Sequence, residues 1–201
     1  MAKSGPRQPR SNPTEARLNL VEAAITVLAR DGFAHTSARA VAAEAGGTNG
    51  SIFYHFGSMD GLLAATASEL SQRRMGRVKA ALGGDNAASQ WPDRLGETIR
   101  AEAESPEGVA VVELLVGART SPGLGQPIRQ ALDESTQFTA AELVRIMGDS
   151  PSAQLIPVEL LAEVATATFF GLELFIQAGR PVDIDRLAHT TAAMIRVITS
   201  L

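Results

Sequence analysis

Apolar residues recur every three or four positions along most of this chain, and no stretch shows the strict alternation of a half-buried strand. Leu20, Val21, Ala24, Ile25, Val27 and Leu28 gather on one side of a first helix, which Gly32 ends. Its start is Asn12-Pro13-Thr14-Glu15, with Asn12 as cap, Pro13 at the first helical position and Glu15 at capping-box spacing. A second helix follows Thr36 or Ser37 and stops at Gly46-Gly47, and a short third covers about Thr48 to His55. Ser58 caps a fourth that runs past Leu62, Leu63 and Leu70 towards Leu82, where Gly83-Gly84 and the polar residues to Ser89 mark a break. Further helices are predicted at about 92–104, 107–119, 123–147, 157–179 and 183–201. The one Asn-Gly, Asn49-Gly50, lies between polar residues and an aromatic cluster, not between β-branched runs, so no hairpin is expected. The pattern therefore predicts an all-α fold of about nine helices.

Composition narrows the class. At 45% hydrophobic and 20% charged residues the 201-residue chain can bury a proper core. It has no cysteine, which excludes disulfides and thiolate metal sites and suits a reducing, cytoplasmic setting. The opening MAKSGPRQPRSNP has no apolar run, so a secretory signal is not expected there. The most apolar stretch, about Val158 to Ile176, carries Glu159, Glu163 and Glu173, which a membrane span would not. The net charge of −4 is unevenly distributed. Residues 1–60 hold six Lys/Arg against five Asp/Glu, and residues 61–201 twelve against seventeen. Lys3, Arg7 and Arg10 make the tail cationic, so an acidic total does not exclude a nucleic-acid partner.

The segment Ala42 to Ile52 has the spacing of a helix-turn-helix. Ala42 is small where two helices cross, Gly46 suits a left-handed turn, and Ile52 anchors the second helix. That leaves Thr48, Asn49, Ser51, Tyr54 and His55 for the outer face, side chains able to read base edges and phosphates. By itself the spacing is weak, because many helical hairpins match it. The longer stretch GFAHTSARAVAAEAGGTNGSIFYHFGSMDGLL, Gly32 to Leu63, resembles the DNA-binding signature of the TetR family without a gap. Gly32-Phe33, Ala42 with Ala45-Gly46, Gly50-Phe53-Phe56 and Ser58-Leu62-Leu63 carry the likeness. The resemblance implies a three-helix reader over residues 13–60 whose third helix enters the major groove, with Ser37 and Arg39 near phosphates. It also implies that Phe33, Val41, Ile52, Phe53 and Phe56 are core. Met59, and often Asn49, stand where the family has lysine, which weakens phosphate attraction or shifts it to the tail at 1–12. Arg7 and Arg10 either enter the minor groove or belong to a solvated, disordered segment.

Residues 61–201 are expected to form a larger helical domain for effector binding and dimerisation. In 157–179, Glu159, Glu163, Thr166, Glu173 and Gln177 make one polar stripe with Phe170 in its middle, a partner surface or a pocket wall. Ile184, Leu187, Thr191, Ile195 and Ile198 share one face of the last helix. The resemblance makes these two helices the expected homodimer interface. Helix 107–119 is apolar almost all round, so Glu113 in its middle needs a partner, an internal arginine or a cationic or hydrogen-bonding ligand. Trp91, Phe138, Met147 and Phe169 are candidates, with Glu113, to line an effector cavity, or else plain core. His35, His55 and His189 are scattered, and no Walker loop, His-Glu-x-x-His or nucleophile elbow occurs, so neither an enzyme, a metal site nor a cofactor is expected. The sequence thus points to a homodimeric repressor that reads a palindrome in double-stranded DNA and is released by a small-molecule effector. The alternative is a helical dimer that binds small molecules or proteins through a degenerate reader.

Overall fold

The computed structural model describes residues 12–83, 91–147 and 157–199. Nine α-helices and two short 3-10 turns account for nearly all of them, with no strand among the described residues. In chain order these are α1 (Pro13–Asp31), a 3-10 turn at Phe33–His35, α2 (Ala38–Glu44), α3 (Asn49–Phe56), α4 (Met59–Leu82) and α5 (Trp91–Glu104). After them come α6 (Pro106–Gly117), a 3-10 turn at Pro122–Leu124, α7 (Gly125–Met147), α8 (Val158–Gln177) and α9 (Ile184–Thr199). The cationic tail with Lys3, Arg7 and Arg10 lies outside the described residues, as does most of the expected break after Gly83.

Local chemistry sets the helix ends. The Asn12 carboxamide oxygen accepts from the Thr14 amide at 3.2 Å, with Pro13 opening α1. Ser37, Ser58 and Ser105 cap α2, α4 and α6 by accepting from the amides of Ala40, Gly61 and Gly108. Gly46 takes φ +65 at the turn between α2 and α3, the left-handed conformation that the helix-turn-helix spacing requires.

Packing divides the molecule unevenly. One cluster joins Leu20, Val21, Ala24 and Leu28 of α1 to Val41, Ala42, Ile52, Leu62 and Leu70, and also to Ala110 and Leu114 of α6 and to Leu124. The first three helices thus share one core with α4 and α6. Farther out, Ile99, Leu172 and Ile184 tie α5, α8 and α9 together, while Leu143, Met147 and Ala162 join α7 to α8. No helix among the described residues is long and apolar enough to cross a membrane.

One sequence expectation is overturned by this packing. Phe53 is not core: it is 53% exposed. With Ile52 fully buried and Phe56 packed beneath it on the same side, the residue after Ile52 is turned about 100° away. The polar stripe of α8 is divided between buried and exposed positions. Thr166 and Glu173 point inward and are buried, while Leu160, Val164, Leu174 and Phe175 are exposed.

Candidate nucleic-acid interface and effector cavity

The helix α3 has one side committed to the core through Ile52 and Phe56, and Arg17 of α1 stacks on the Phe56 ring at 4.9 Å. Its other side presents Thr48, Asn49, Phe53 and Tyr54, with Tyr54 81% exposed. Ser51 and His55 are half-buried, and the His55 ring meets Tyr54 edge-on at 4.9 Å. At the start of α2 the Ser37 hydroxyl is engaged in capping, and Arg39 is exposed. Of the seven residues expected near DNA, Arg39, Thr48, Asn49 and Tyr54 are exposed, Ser51 and His55 are half-buried, and the Ser37 hydroxyl accepts at the helix terminus. Phe53 is exposed beside Tyr54, as a helical wheel anchored on Ile52 and Phe56 would have shown.

The reader is held to the larger unit at the turn that precedes α2. Glu113 of α6 is half-buried, and its Oε2 accepts from the Phe33 amide at 2.6 Å. Its partner is thus a backbone N–H left open at the end of α1, neither an arginine nor a ligand, and Glu113 lies away from the cavity described below. One turn on, Gly117 is so close to the Phe33 ring that a Cβ there would lie 2.2 Å from it.

The cavity lies between α4, α5, α7, α8 and α9 and measures about 360 Å³, within the range of small-molecule sites. Trp91, Phe138, Phe169 and Phe170 are in its wall, among aliphatic residues such as Val78, Leu95 and Leu161. Met147, expected there, is instead buried in the α7–α8 core. Phe170, Leu187 and Thr191, expected at a dimer face, line the cavity, and Ile184 both lines it and is buried against α5 and α8. The side chains of Ile195 and Ile198 lie outside the described residues. Two charged residues line this cavity, Arg74 and Glu142. Glu142 is neutralised by Arg145 at 2.6 Å.

Arg74 sits at the end of a ladder of ion pairs. Its Nη2 donates to Glu173 Oε1 at 2.6 Å, and its Nη1 stands 3.8 Å from Glu102 Oε2 without a hydrogen-bond acceptor. Arg77 holds Glu102 in a fork, at 2.7 and 3.1 Å, and also pairs with Glu107. Arg73 links Glu107, at 3.0 Å, to Glu69 and to Glu22 of α1. The ladder thus runs from α8 beside the cavity to the first helix of the reader. Burial pushes the Glu173 carboxyl up to about 7, against the pull of Arg74, and the nearby Glu102 adds to the rise. Burial also acts on Glu107, but Arg73 and Arg77 outweigh it and hold that carboxyl below its ordinary value. No cluster of metal-ligating side chains occurs among the described residues.

A compact helix-turn-helix fused through one shared core to a helical unit with an apolar cavity is the architecture of the TetR-type transcriptional regulators. Residues 20–66 match the family model for bacterial regulatory proteins of the tetR family. The likeness extends over the whole fold. A transcriptional regulator from Rhodococcus sp. Rha1 superposes with a TM-score of 0.71 at 25% identity, covering 89% of this chain and 95% of that one. A protein from Rhodococcus sp. described as a TetR-family regulator gives 0.69 at 22%, covering 92% and 99%. One from Saccharomonospora viridis, solved in complex with choline, gives 0.70 at 21%, covering 91% and 96%. Among curated proteins no sequence relative matches.

Proposed function

We propose that this chain is a ligand-responsive, homodimeric repressor that reads a palindromic operator. The observation that carries the reading is α3: its Ile52–Phe56 side is locked into a core shared with α6, while Thr48, Asn49, Phe53 and Tyr54 stand outward. A rigid helix with an exposed face of hydrogen-bonding and aromatic side chains suits the major groove. Arg39 and the half-buried Ser51 and His55 would add phosphate and base contacts around it.

Dimerisation is supported by the outward apolar residues of α8 and α9, above all Leu160, Leu174, Phe175 and Met194. Water-facing hydrophobic residues concentrated on the last two helices suit a second copy of the chain. Two readers related by a two-fold axis would meet half-sites about 34–36 Å apart. The effector would enter the cavity, and it would release the operator only by binding the released arrangement more tightly. The similar S. viridis protein was solved in complex with choline, which supports a small-molecule ligand for this fold.

The test is selection of bound fragments from genomic DNA by the purified full chain, at low and high salt. A recovered palindrome whose affinity falls steeply with salt, and with Tyr54→Ala, is the expected result. If folded dimer enriches no fragment at low salt, the reader is degenerate and the chain works through its cavity or its surface alone.

A further inference from the structure

The wall of the cavity specifies the sign of its ligand. Trp91, Phe138 and Phe169 offer an apolar, aromatic lining, and the Glu142 charge is spent on Arg145. Arg74 is different. It is nine-tenths buried, and its Nη1 has no hydrogen-bond acceptor, a costly condition for a charged donor out of water. Phe169 and Phe170, both in the cavity wall, stack on its guanidinium at 5.0 and 4.5 Å. A cationic ligand would have to enter beside the Arg74 guanidinium, whose one hydrogen-bonded anion is Glu173, and beside the two rings it already stacks on. An anionic head would satisfy the open N–H in a charge-assisted hydrogen bond.

We propose that the cavity binds an amphipathic carboxylate, whose head pairs with Arg74 and whose apolar body lies against Phe138 and Trp91. The proposal rests on the reading of this cavity as the effector site. Nη1 is itself covered, so the head reaches it by turning the Phe169 or Phe170 ring aside. Arg74 already has an anion, Glu173, which makes binding a competition between two carboxylates for one guanidinium. The groups that face Glu173 are Arg74 from α4 and Glu102 from α5, and Glu102 is held by Arg77. Because burial raises the Glu173 carboxyl to about 7, mild acid neutralises the internal competitor while a fatty carboxylate in water stays ionised. Anion binding should therefore tighten as the pH falls from about 8 to about 6. An ordinary solvent-exposed cation would give no such dependence.

The experiment uses the full-length protein and three probes of matched body: decanoate, its methyl ester and decyltrimethylammonium. The chain's one tryptophan, Trp91, lies in the wall and reports binding by its emission. Decanoate is expected to bind at least about tenfold more tightly than the ester. E173Q should strengthen decanoate binding severalfold at about pH 8 and remove its pH dependence, whereas a merely structural Glu173 would weaken it. R74Q alone leaves the buried Glu173 carboxylate without its guanidinium, so the paired R74Q/E173Q variant is the safer control. It should bring decanoate down to the level of the ester and leave the ester unchanged. If ester and decanoate bind equally, or the ammonium probe binds best, the head-group assignment is overturned and the cavity reading survives. If none of the three shifts Trp91 emission or the melting temperature, the effector reading falls, and this proposal with it.

Discussion

A carboxylate with no surface in water, one anionic neighbour and one shared guanidinium has a folded-state acidity unlike that of the unfolded chain. Glu173 is raised from 4.5 to about 7, so between those values the native state binds the proton that the unfolded state has released. Its contribution to stability is full below about 4.5 and is lost as the pH rises through about 7. We expect the melting temperature to fall across this window and E173Q to flatten the decline, with on the order of 3 kcal/mol at stake. A melting temperature that rises from about pH 5 to about pH 8 in both proteins would contradict it. Glu107 acts with the opposite sign: its lowered carboxyl favours the fold above its ordinary range and is felt only in acid. At the reading surface, Phe53 is 53% exposed beside Tyr54, and we expect Phe53→Ala to leave folding intact while weakening operator binding by roughly 1 kcal/mol. Titration of a labelled operator at fixed salt measures it. Phe53 was misplaced by the family resemblance, and the partner of Glu173 was not legible from periodicity. Period locates one apolar side of a helix, but it cannot know that a buried carboxylate has an arginine waiting on another helix.

Among the elements, α4 and α6 matter most. Helix α4 carries Arg73, Arg74 and Arg77, which between them touch carboxylates on α1, α5, α6 and α8. Helix α6 clasps Phe33 twice, by the Glu113 hydrogen bond and by the absent side chain of Gly117. Gly117→Ala would set a methyl group against the Phe33 ring, and the ring must move for the helix to stay. The expected cost is about 1–3 kcal/mol by denaturant unfolding, with a displaced α2 start and weaker DNA binding. Arg73→Met tests the ladder in another way. It separates Glu22 from Glu107 at a half-exposed position, so ligand affinity should hold while the effector's power to release DNA diminishes. Unchanged release, measured by operator titration with and without ligand, would show that the ladder holds the fold and transmits nothing. Helix starts were readable from the sequence because an Asn or Ser cap acts within three residues of itself. The clasp was not readable, since Phe33 and Glu113 are eighty positions apart and nothing local marks them as partners.

For the whole molecule, the decisive feature is that α8 buries two polar side chains beside Ala162 and Leu172 and leaves several large apolar ones exposed beside Glu159 and Glu163. Glu173 and Thr166 are buried, the latter donating to Thr139 at 3.3 Å, while Leu160, Leu174 and Phe175 are exposed. A lone protomer would leave this arrangement wet on its apolar side. A partner across a two-fold axis would cover it and would fix the distance between two α3 helices. The substitution that separates these ideas is L174E/M194E. Both side chains are about half or more exposed, at 49% and 61%, so two carboxylates there cost the protomer's own core little. In a dimer they would be driven into the shared apolar seam and into each other's field. The expected protein is helical by circular dichroism, monomeric by light scattering, and weaker on a two-half-site operator by at least about a hundredfold, the advantage of joined binding being lost. Its affinity for an isolated half-site should be unchanged, because α3 and the core beneath it are untouched. A dimer that persists with the same mass would place the interface elsewhere. A monomer that still grips the full operator as tightly would mean that one reader suffices.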